Sequence, residues 1–406
     1  MKTRLGLIAV MLLVTAACGG DESAGQRVDR ESAVGSTQPA EDLIQPDIVG
    51  GSKALKGAWP YAAYIELVLD ANADKKPDKY PNGDIRVGGC GGALIGARWV
   101  LTAAHCTAKR LWADVWIGAN DRPWTKEKLR YRGWAADGDI WTHPDYNAAT
   151  AANDVALIRL DRPAPQRKVV FVRPDDDLLW APGVRAAVIG WGLMQEEGKA
   201  SDVLRQARVP VLSDEECATA YPPDSRDAFL AASMFCAGEL EGGTDACNGD
   251  SGGPLLVPFG SVWLAAGVVS WGIGCARPML PGVYSRLETL SESVLARLAG
   301  DTEAPVTQPT VQPAETTDVR STGATVTGQI ETNGLGAIAT LELRAVDSDE
   351  DWTTVAMRAV GTDAPETVIF EATALEPETS YEYRVSAVSA TGHVTGETRT
   401  FETPAA

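Results

Sequence analysis

The run Gly249-Asp250-Ser251-Gly252-Gly253-Pro254 sets one serine between an acid and two glycines, just downstream of Cys247. An acyl-transfer nucleophile needs this setting. Glycines let the backbone turn sharply, so its N–H groups can aim at the point where an oxyanion develops. A serine hydroxyl is a weak nucleophile at neutral pH and requires a base beside it. Three histidines are available: His105 in Thr102-Ala103-Ala104-His105-Cys106, His143 in His143-Pro144-Asp145-Tyr146, and His393 near the C-terminus. A carboxylate that fixes the tautomer completes such a base. Asp154, in Asn153-Asp154-Val155-Ala156-Leu157, opens an apolar stretch, whereas Asp139 and Asp145 do not. Taken singly, Ser251 also reads as a turn serine in a glycine loop, and His105 as a packed histidine.

Groups this far apart in sequence need a scaffold to gather them. Between residues 48 and 299, short apolar stretches are broken by Gly, Pro, Asn and Asp. Tyr61–Leu69, Trp99–Thr102, Asp114–Ile117, Val155–Leu160, Val184–Trp191 and Val262–Trp271 predict strands of a β-sandwich or of barrels. Leu287, Leu290, Val294 and Leu298 recur at intervals of three and four, which predicts a helix with one apolar face. Residues 300–313, with three prolines, read as a linker. Residues 314–406 carry no cysteine and alternate: Tyr381, Tyr383, Val385 and Ala387 share one face, and Glu382, Arg384 and Ser386 the other. Six or seven such strands fit an immunoglobulin-like sandwich.

With 406 residues the chain has room for two or three domains, and its net charge of −19 argues against a nucleic-acid partner. Lys2 and Arg4 precede an apolar run from Leu5 to Val14 and then small residues, which marks residues 1–17 as an export signal. Val14-Thr15-Ala16-Ala17-Cys18 resembles a bacterial lipobox and predicts lipidation of Cys18; ordinary cleavage near Ala17, giving a secreted protein, is the alternative. Residues 18–47, rich in Gly, Ser, Glu, Gln and Pro, read as a flexible tether or propeptide. Six of the seven cysteines lie between Cys90 and Cys275, with Cys18 the odd one. An even set in an exported chain predicts disulfides, and six cysteines leave fifteen pairings open.

The serine, histidine and aspartate motifs occur in the order of the trypsin/chymotrypsin family, and residues 48–299 resemble that family of serine proteases. The resemblance implies an all-β double barrel closed by a helix, and an endopeptidase with Ser251 as nucleophile, His105 as general base and Asp154 as orienting acid. It implies an oxyanion hole from the N–H groups of Gly249 and Ser251, and the disulfides Cys90–Cys106, Cys217–Cys236 and Cys247–Cys275. Asp245 would floor the specificity pocket and select Arg or Lys, with Ala246 favouring Arg. Gly272 and Gly282 resemble pocket walls, and Ser270-Trp271-Gly272 the edge strand that pairs with substrate. Ile48-Val49-Gly50-Gly51 resembles the mature N-terminus, so the precursor would be a zymogen until a cut before Ile48 frees an amine for Asp250. The His143 segment resembles a surface segment of the family.

Some features depart from the family. Asp47 precedes Ile48 where Arg or Lys is usual, which predicts a separate activating protease, or a first cut at Arg27 or Arg30 followed by trimming. The long loop Asp70–Arg86 carries Asp70, Asn72, Asp74 and Asp78 at oxygen-ligand spacing, without the glycine and glutamate of an EF-hand. Asn120, Asp121 and Glu127 fall where the family's calcium loop would lie, in poor register. No metal and no cofactor are expected. Leu375-x-Pro377-x-Thr379-x-Tyr381 resembles a fibronectin type III domain, with Tyr381 making a corner hydrogen bond and Trp352 in the core. The implied partners are protein or peptide substrates, an activating protease and, through Cys18, a membrane; the implied location is the bacterial cell envelope or the exterior. A scaffold protein on an inactive protease fold is the rival reading, and it is disfavoured because Ser, His and Asp are all present.

Overall fold

The computed structural model describes residues 48–72, 74–122, 130–171, 181–301, 306–346, 351–362 and 364–406. The predicted export signal, Cys18, Arg27, Arg30, Asp47 and Glu127 lie outside them. Among the described residues no helix is long and apolar enough to cross a membrane.

The short strand β1 (Ser52–Lys53) joins a sheet built mostly later in the chain. Seven strands then form the first barrel: β2 (Ala62–Leu69), β3 (Val87–Gly96), β4 (Trp99–Thr102), β5 (Arg110–Ile117), β6 (Arg130–Trp134), β7 (Ile140–Thr142) and β8 (Ala156–Arg159). The one-turn helix α1 (Ala104–Thr107) leaves β4. The order is β6-β5-β2-β3-β4-β8-β7, and the ends approach where Asp161 N–H donates to Arg132 O. Its core includes buried β-branched and aromatic residues such as Ile65, Trp99, Val115 and Ile158, whose shape suits a pleated surface, together with Leu94.

The second barrel takes β9 (Val170–Phe171), β10 (Arg185–Gly190), β11 (Arg205–Pro210), β12 (Met234–Ala237), β13 (Pro254–Phe259), β14 (Val262–Trp271) and β15 (Gly282–Arg286). Their order is β1-β11-β10-β13-β14-β15-β12, with β9 parallel to β14. A bridge between Val211 and Ala237 brings the ends together. Helix α2 (Asp214–Ala220) starts at a capping box between Ser213 and Glu216, which satisfies two orphan donors of its first turn. Helix α3 (Leu287–Ala299) is the expected closing helix, with Leu287, Leu290, Val294 and Leu298 buried. The fold class is thus the expected one, a double β-barrel with further strands behind it.

Those strands are β16 (Thr310–Val311), β17 (Glu315–Arg320), β18 (Gly323–Glu331), β19 (Ala337–Ala345), β20 (Thr353–Val360), β21 (Glu366–Thr373), β22 (Ser380–Ser389), β23 (Gly392–Thr395) and β24 (Arg399–Glu402). β16, β17 and β21 flank β18 in one sheet; β20, β19, β22, β23 and β24 form the other. Between them Phe370, Tyr383, Val385 and Phe401 make a separate core, and the expected inward face of β22 is there. The corner bond is also present: Glu376 N–H donates to Tyr381 Oη at 2.9 Å. Two expectations need correction. Trp352 is not in the core; its ring lies under the guanidinium groups of Arg344 and Arg384, 4.6 and 4.2 Å from the centroid, on the outer face. The stretch read as a linker is partly structured: Asp301 is buried, Val306 packs on the barrel core, and Thr310–Val311 is already strand.

Candidate active site

β4 carries apolar residues into the first barrel and ends at Thr102; α1 then turns His105 outward. The loop before β8 delivers Asp154 to the same place. Asp154 Oδ2 lies 2.7 Å from His105 Nδ1, and Oδ1 accepts the His105 backbone N–H at 2.8 Å. The carboxylate is completely buried. Ser270 Oγ donates to its Oδ2 at 2.5 Å, and Ser285 Oγ to its backbone carbonyl at 2.7 Å. A buried carboxylate survives when each lone pair finds a donor, and this one is well supplied. An imidazole anchored in this way keeps one nitrogen free as a base.

Ser251 comes from the second barrel, in the turn before β13. Gly249 has φ +98°, a conformation in which a Cβ would be strained. Gly91 N–H donates to Ser251 O at 2.7 Å, which joins the turn to β3 of the other barrel. The sulfur of Cys106 lies 3.7 Å from both Ser251 O and His105 Nε2. The backbone of Ser251 and the His105–Asp154 pair therefore lie together where the two barrels meet. The segment after His143 is exposed at Pro144 and Asp145 as expected, while the His143 ring itself is buried and meets Trp141 edge-on at 5.7 Å. His393 is on β23 of the sandwich.

A cavity of about 230 Å³ opens beside Ser251, lined by Asp245, Ala246, Ser270, Trp271, Gly272, Gly282 and Tyr284 among others. Asp245 is at its base. Its Oδ2 accepts from Ala276 N–H at 3.1 Å, while Oδ1 is buried with no hydrogen-bond partner among the described residues. Burial raises its carboxyl to about 7, against the pull of the Ala276 and Ala246 amides. Tyr284 Oη is buried and unpartnered too, and burial holds that phenol well above its ordinary range. A Cβ at Gly282 would stand 2.6 Å from Asp245 Oδ1, so glycine there keeps the floor open. Unsatisfied buried polar atoms are rare and point to an external partner.

Asp250 is fully buried beside this loop. Its carboxylate accepts from Gly192 N–H (2.7 Å) and Cys247 N–H (3.0 Å), and burial raises it to about 6. Ile48 is buried, and Val49 bridges Asp245, with Asp245 N–H donating to Val49 O at 3.1 Å.

A comparison with known families matches the trypsin model over residues 48–294, more than half of the chain. The chain belongs to the trypsin family. It is 35% identical over 286 residues to the serine proteinase stubble of Drosophila melanogaster, covering 68% of this chain and 34% of that protein. The chain thus spans about a third of that relative's length.

The trypsin-family disulfides form as the resemblance implies: Cys90–Cys106, Cys217–Cys236 and Cys247–Cys275. The last ties together two walls of the cavity. The Asp70 loop uses its oxygens internally: Asp70, Asn72, Asp74 and Asp78 accept the backbone N–H groups of Ala71, Asp74, Lys75 and Lys76. The Cys90, His105 and Cys106 group is no thiolate metal site, because both sulfurs are spent in one bridge. Sequence reasoning missed Ser285, Tyr284 and Tyr221, which stacks edge-on against Trp271 at 4.8 Å. Their signal was faint, since each lies in an apolar stretch that reads as core.

Proposed function

We propose that the protein is an exported serine endopeptidase that cleaves peptide bonds after Arg, and less readily after Lys. Asp245 carries this reading: a carboxylate oxygen without a partner among the described residues, at the base of a cavity that Ser251 also lines. A guanidinium would supply the missing donors and repay the burial of the charge. Ala246 offers no hydroxyl to solvate a compact ammonium, which favours Arg.

Ser251 Oγ attacks the scissile carbonyl as His105 Nε2 takes its proton. The oxyanion faces the N–H groups of Gly249 and Ser251. The C–N bond breaks, the imidazolium gives its proton to the leaving amine, and an acyl-enzyme remains. Water then enters by the same route and releases the acid. Asp154 holds His105 Nδ1–H throughout and stabilises the imidazolium. The edge at Ser270-Trp271-Gly272 pairs with the substrate backbone.

The precursor is a zymogen in this reading. Cutting before Ile48 frees an amine that pairs with buried Asp250 and orders the oxyanion loop, a reading favoured by the burial of Ile48 and the Val49–Asp245 bridge. With Asp47 in the preceding position, the pocket would bring two carboxylates together, so another protease makes the cut. Lipidation at Cys18 would hold the precursor at the bacterial envelope, and the cut would release it. The sandwich is read as a fibronectin type III-like domain, on its sheet layout and the Tyr381 corner.

Kinetics on matched peptides ending in Arg, Lys and Phe test the assignment. Efficient cleavage after Arg, with Lys second, is expected; efficient cleavage after Phe but not Arg refutes it.

A further inference from the structure

The two halves of the active site belong to different barrels. His105 and Asp154 are on the first, Ser251 and Asp245 on the second. Their register depends on whatever fixes barrel to barrel. One hydrophobic cluster runs through both barrels and continues into Leu335, Ile338 and Ala390 of the sandwich, with Met357 and Ala359 packed against it. Ile338 is the informative residue. Its neighbour Ala339 and then Leu341 and Leu343 point into the sandwich core, while Ile338, 4% exposed, points into the barrel cluster.

Polar contacts reach all parts of the protease. At the first barrel, Gly96 in the β3–β4 turn bridges Leu335. Between the barrels, Lys168 backbone N–H donates to Gly361 O at 3.1 Å, its Nζ lies 3.2 Å from the same oxygen, and Arg167 pairs with Glu366. At the second barrel, Ser261 Oγ donates to Met357 O at 2.8 Å. The connecting segment itself is sewn to both barrels: Val169 N–H donates to Leu94 O, and Val170–Phe171 pairs with β14. Asp301, where α3 ends, accepts from Trp99 Nε1 (3.1 Å) and Arg159 Nε (3.0 Å) of the first barrel.

Strand direction places these contacts away from catalysis. β4 starts at Trp99, near the sandwich, and runs toward His105. β14 starts at Val262, beside Ser261, and reaches Trp271 at the cavity about 30 Å later, at roughly 3.3 Å per residue. Among the described residues, none of the sandwich lines the cavity.

We infer that the sandwich is an internal brace, which clamps the two barrels at their backs and so sets the distance between Ser251 and His105. It is not a capture module on a tether. The kinetic part of the test rests on the proteolytic reading; the calorimetric part needs no activity, so the two ideas can fail separately. In calorimetry the full chain, residues 48–406 after activation, is expected to melt in one cooperative transition. Ile338→Asp should split it in two and lower kcat on a small peptide ester at least tenfold, with KM within about twofold, because misplaced groups cost rate more than binding. Ile338→Val should restore both, and Ile369→Asp, on the exposed face of β21, should change neither. Met357→Asp, at the edge of the interface, serves if Ile338→Asp does not fold. Two independent transitions in the wild type overturn the brace. So does a folded interface variant with unchanged kcat on the small ester, or one impaired only on protein substrates, which would instead reveal a capture module.

Discussion

Asp154 and Asp245 are both buried carboxylates at one active site, and their surroundings differ. Asp154 has donors on both oxygens, from His105 and Ser270, with Ser285 on its carbonyl. Asp245 is met only by backbone amides, those of Ala276 and Ala246, and its Oδ1 has no hydrogen-bond partner among the described residues. A carboxylate whose bonding is complete can orient a neighbour but has little left for a ligand. One left half-satisfied stores a desolvation cost that only an incoming cation removes. The same residue type thus performs positioning at one site and selection at the other, and the hydrogen-bond count separates the two.

Neutralising each residue should break the pair in opposite ways. Asp154→Asn is expected to lower kcat about 10⁴-fold on every substrate, the loss known for this family's reference triad when the acid is made an amide. It also leaves His105 and Ser270 facing an amide nitrogen, so Tm should fall. Asp245→Asn is expected to lower kcat/KM on Arg peptides about 10³-fold, within the range for truncating one partner of a buried charge pair, while Phe peptides change little. Its Tm should rise by a few degrees, because an unpaired buried charge is gone. Steady-state kinetics and calorimetry on both variants check this. A rise in Tm for Asp154→Asn, or equal losses on Arg and Phe for Asp245→Asn, removes the distinction.

Protonation sharpens the comparison. The Asp245 carboxyl is raised from 3.8 to about 7 by burial, so its folded form holds a proton that the unfolded chain has already lost. Between those values the native state binds more protons, and stability therefore falls as pH rises through that window. In the uncut chain Asp250, raised to about 6, adds to the fall; an amine paired with it after cleavage would remove that contribution. A benzamidinium cation needs the ionised Asp245. Its affinity should weaken roughly tenfold from pH 8 to pH 6, and its stabilisation in a thermal melt should be greater at pH 8. Benzamidine binding reports Asp245 without the base His105, which separates this limb from the catalytic one. An inhibition constant that does not move with pH contradicts the raised carboxyl.

Much of the site could be read from residue order because its motifs are local: a serine in a glycine turn, a histidine beside a cysteine, an aspartate before a strand. What escaped is non-local. Ser285 supports Asp154 across 131 residues, and nothing near Ser285 signals it. Trp352 looked like core because indole is large and apolar, yet two arginines from adjacent strands give its faces a better partner outside. Asp301 sits in a stretch whose prolines suggest a free connector, but it bonds a barrel built far earlier in the chain, as the 142-residue separation of the Arg159–Asp301 bond shows, and Val306 packs on the shared hydrophobic cluster. Disulfide pairing came through family resemblance alone, since spacing leaves every pairing open.

The smallest expected effect is at Ala246, adjacent to Asp245 and also lining the cavity. Alanine adds no hydroxyl of its own beside the Asp245 carboxylate. Guanidinium spreads its donors in a planar fork and can reach Asp245 directly, whereas an ammonium is compact, strongly hydrated and carries three donors to satisfy. Ala246→Ser adds one acceptor where the ammonium falls short. We expect it to raise kcat/KM for Lys peptides about threefold to tenfold, in keeping with one neutral hydrogen bond of about 0.5–1.5 kcal/mol, and to leave Arg peptides nearly unchanged. The Arg-to-Lys ratio should narrow without any change in kcat on esters that lack a basic side chain. If the ratio widens, the ammonium is already met by another group, and the preference for Arg must come from the depth of the cavity rather than from the chemistry of its floor.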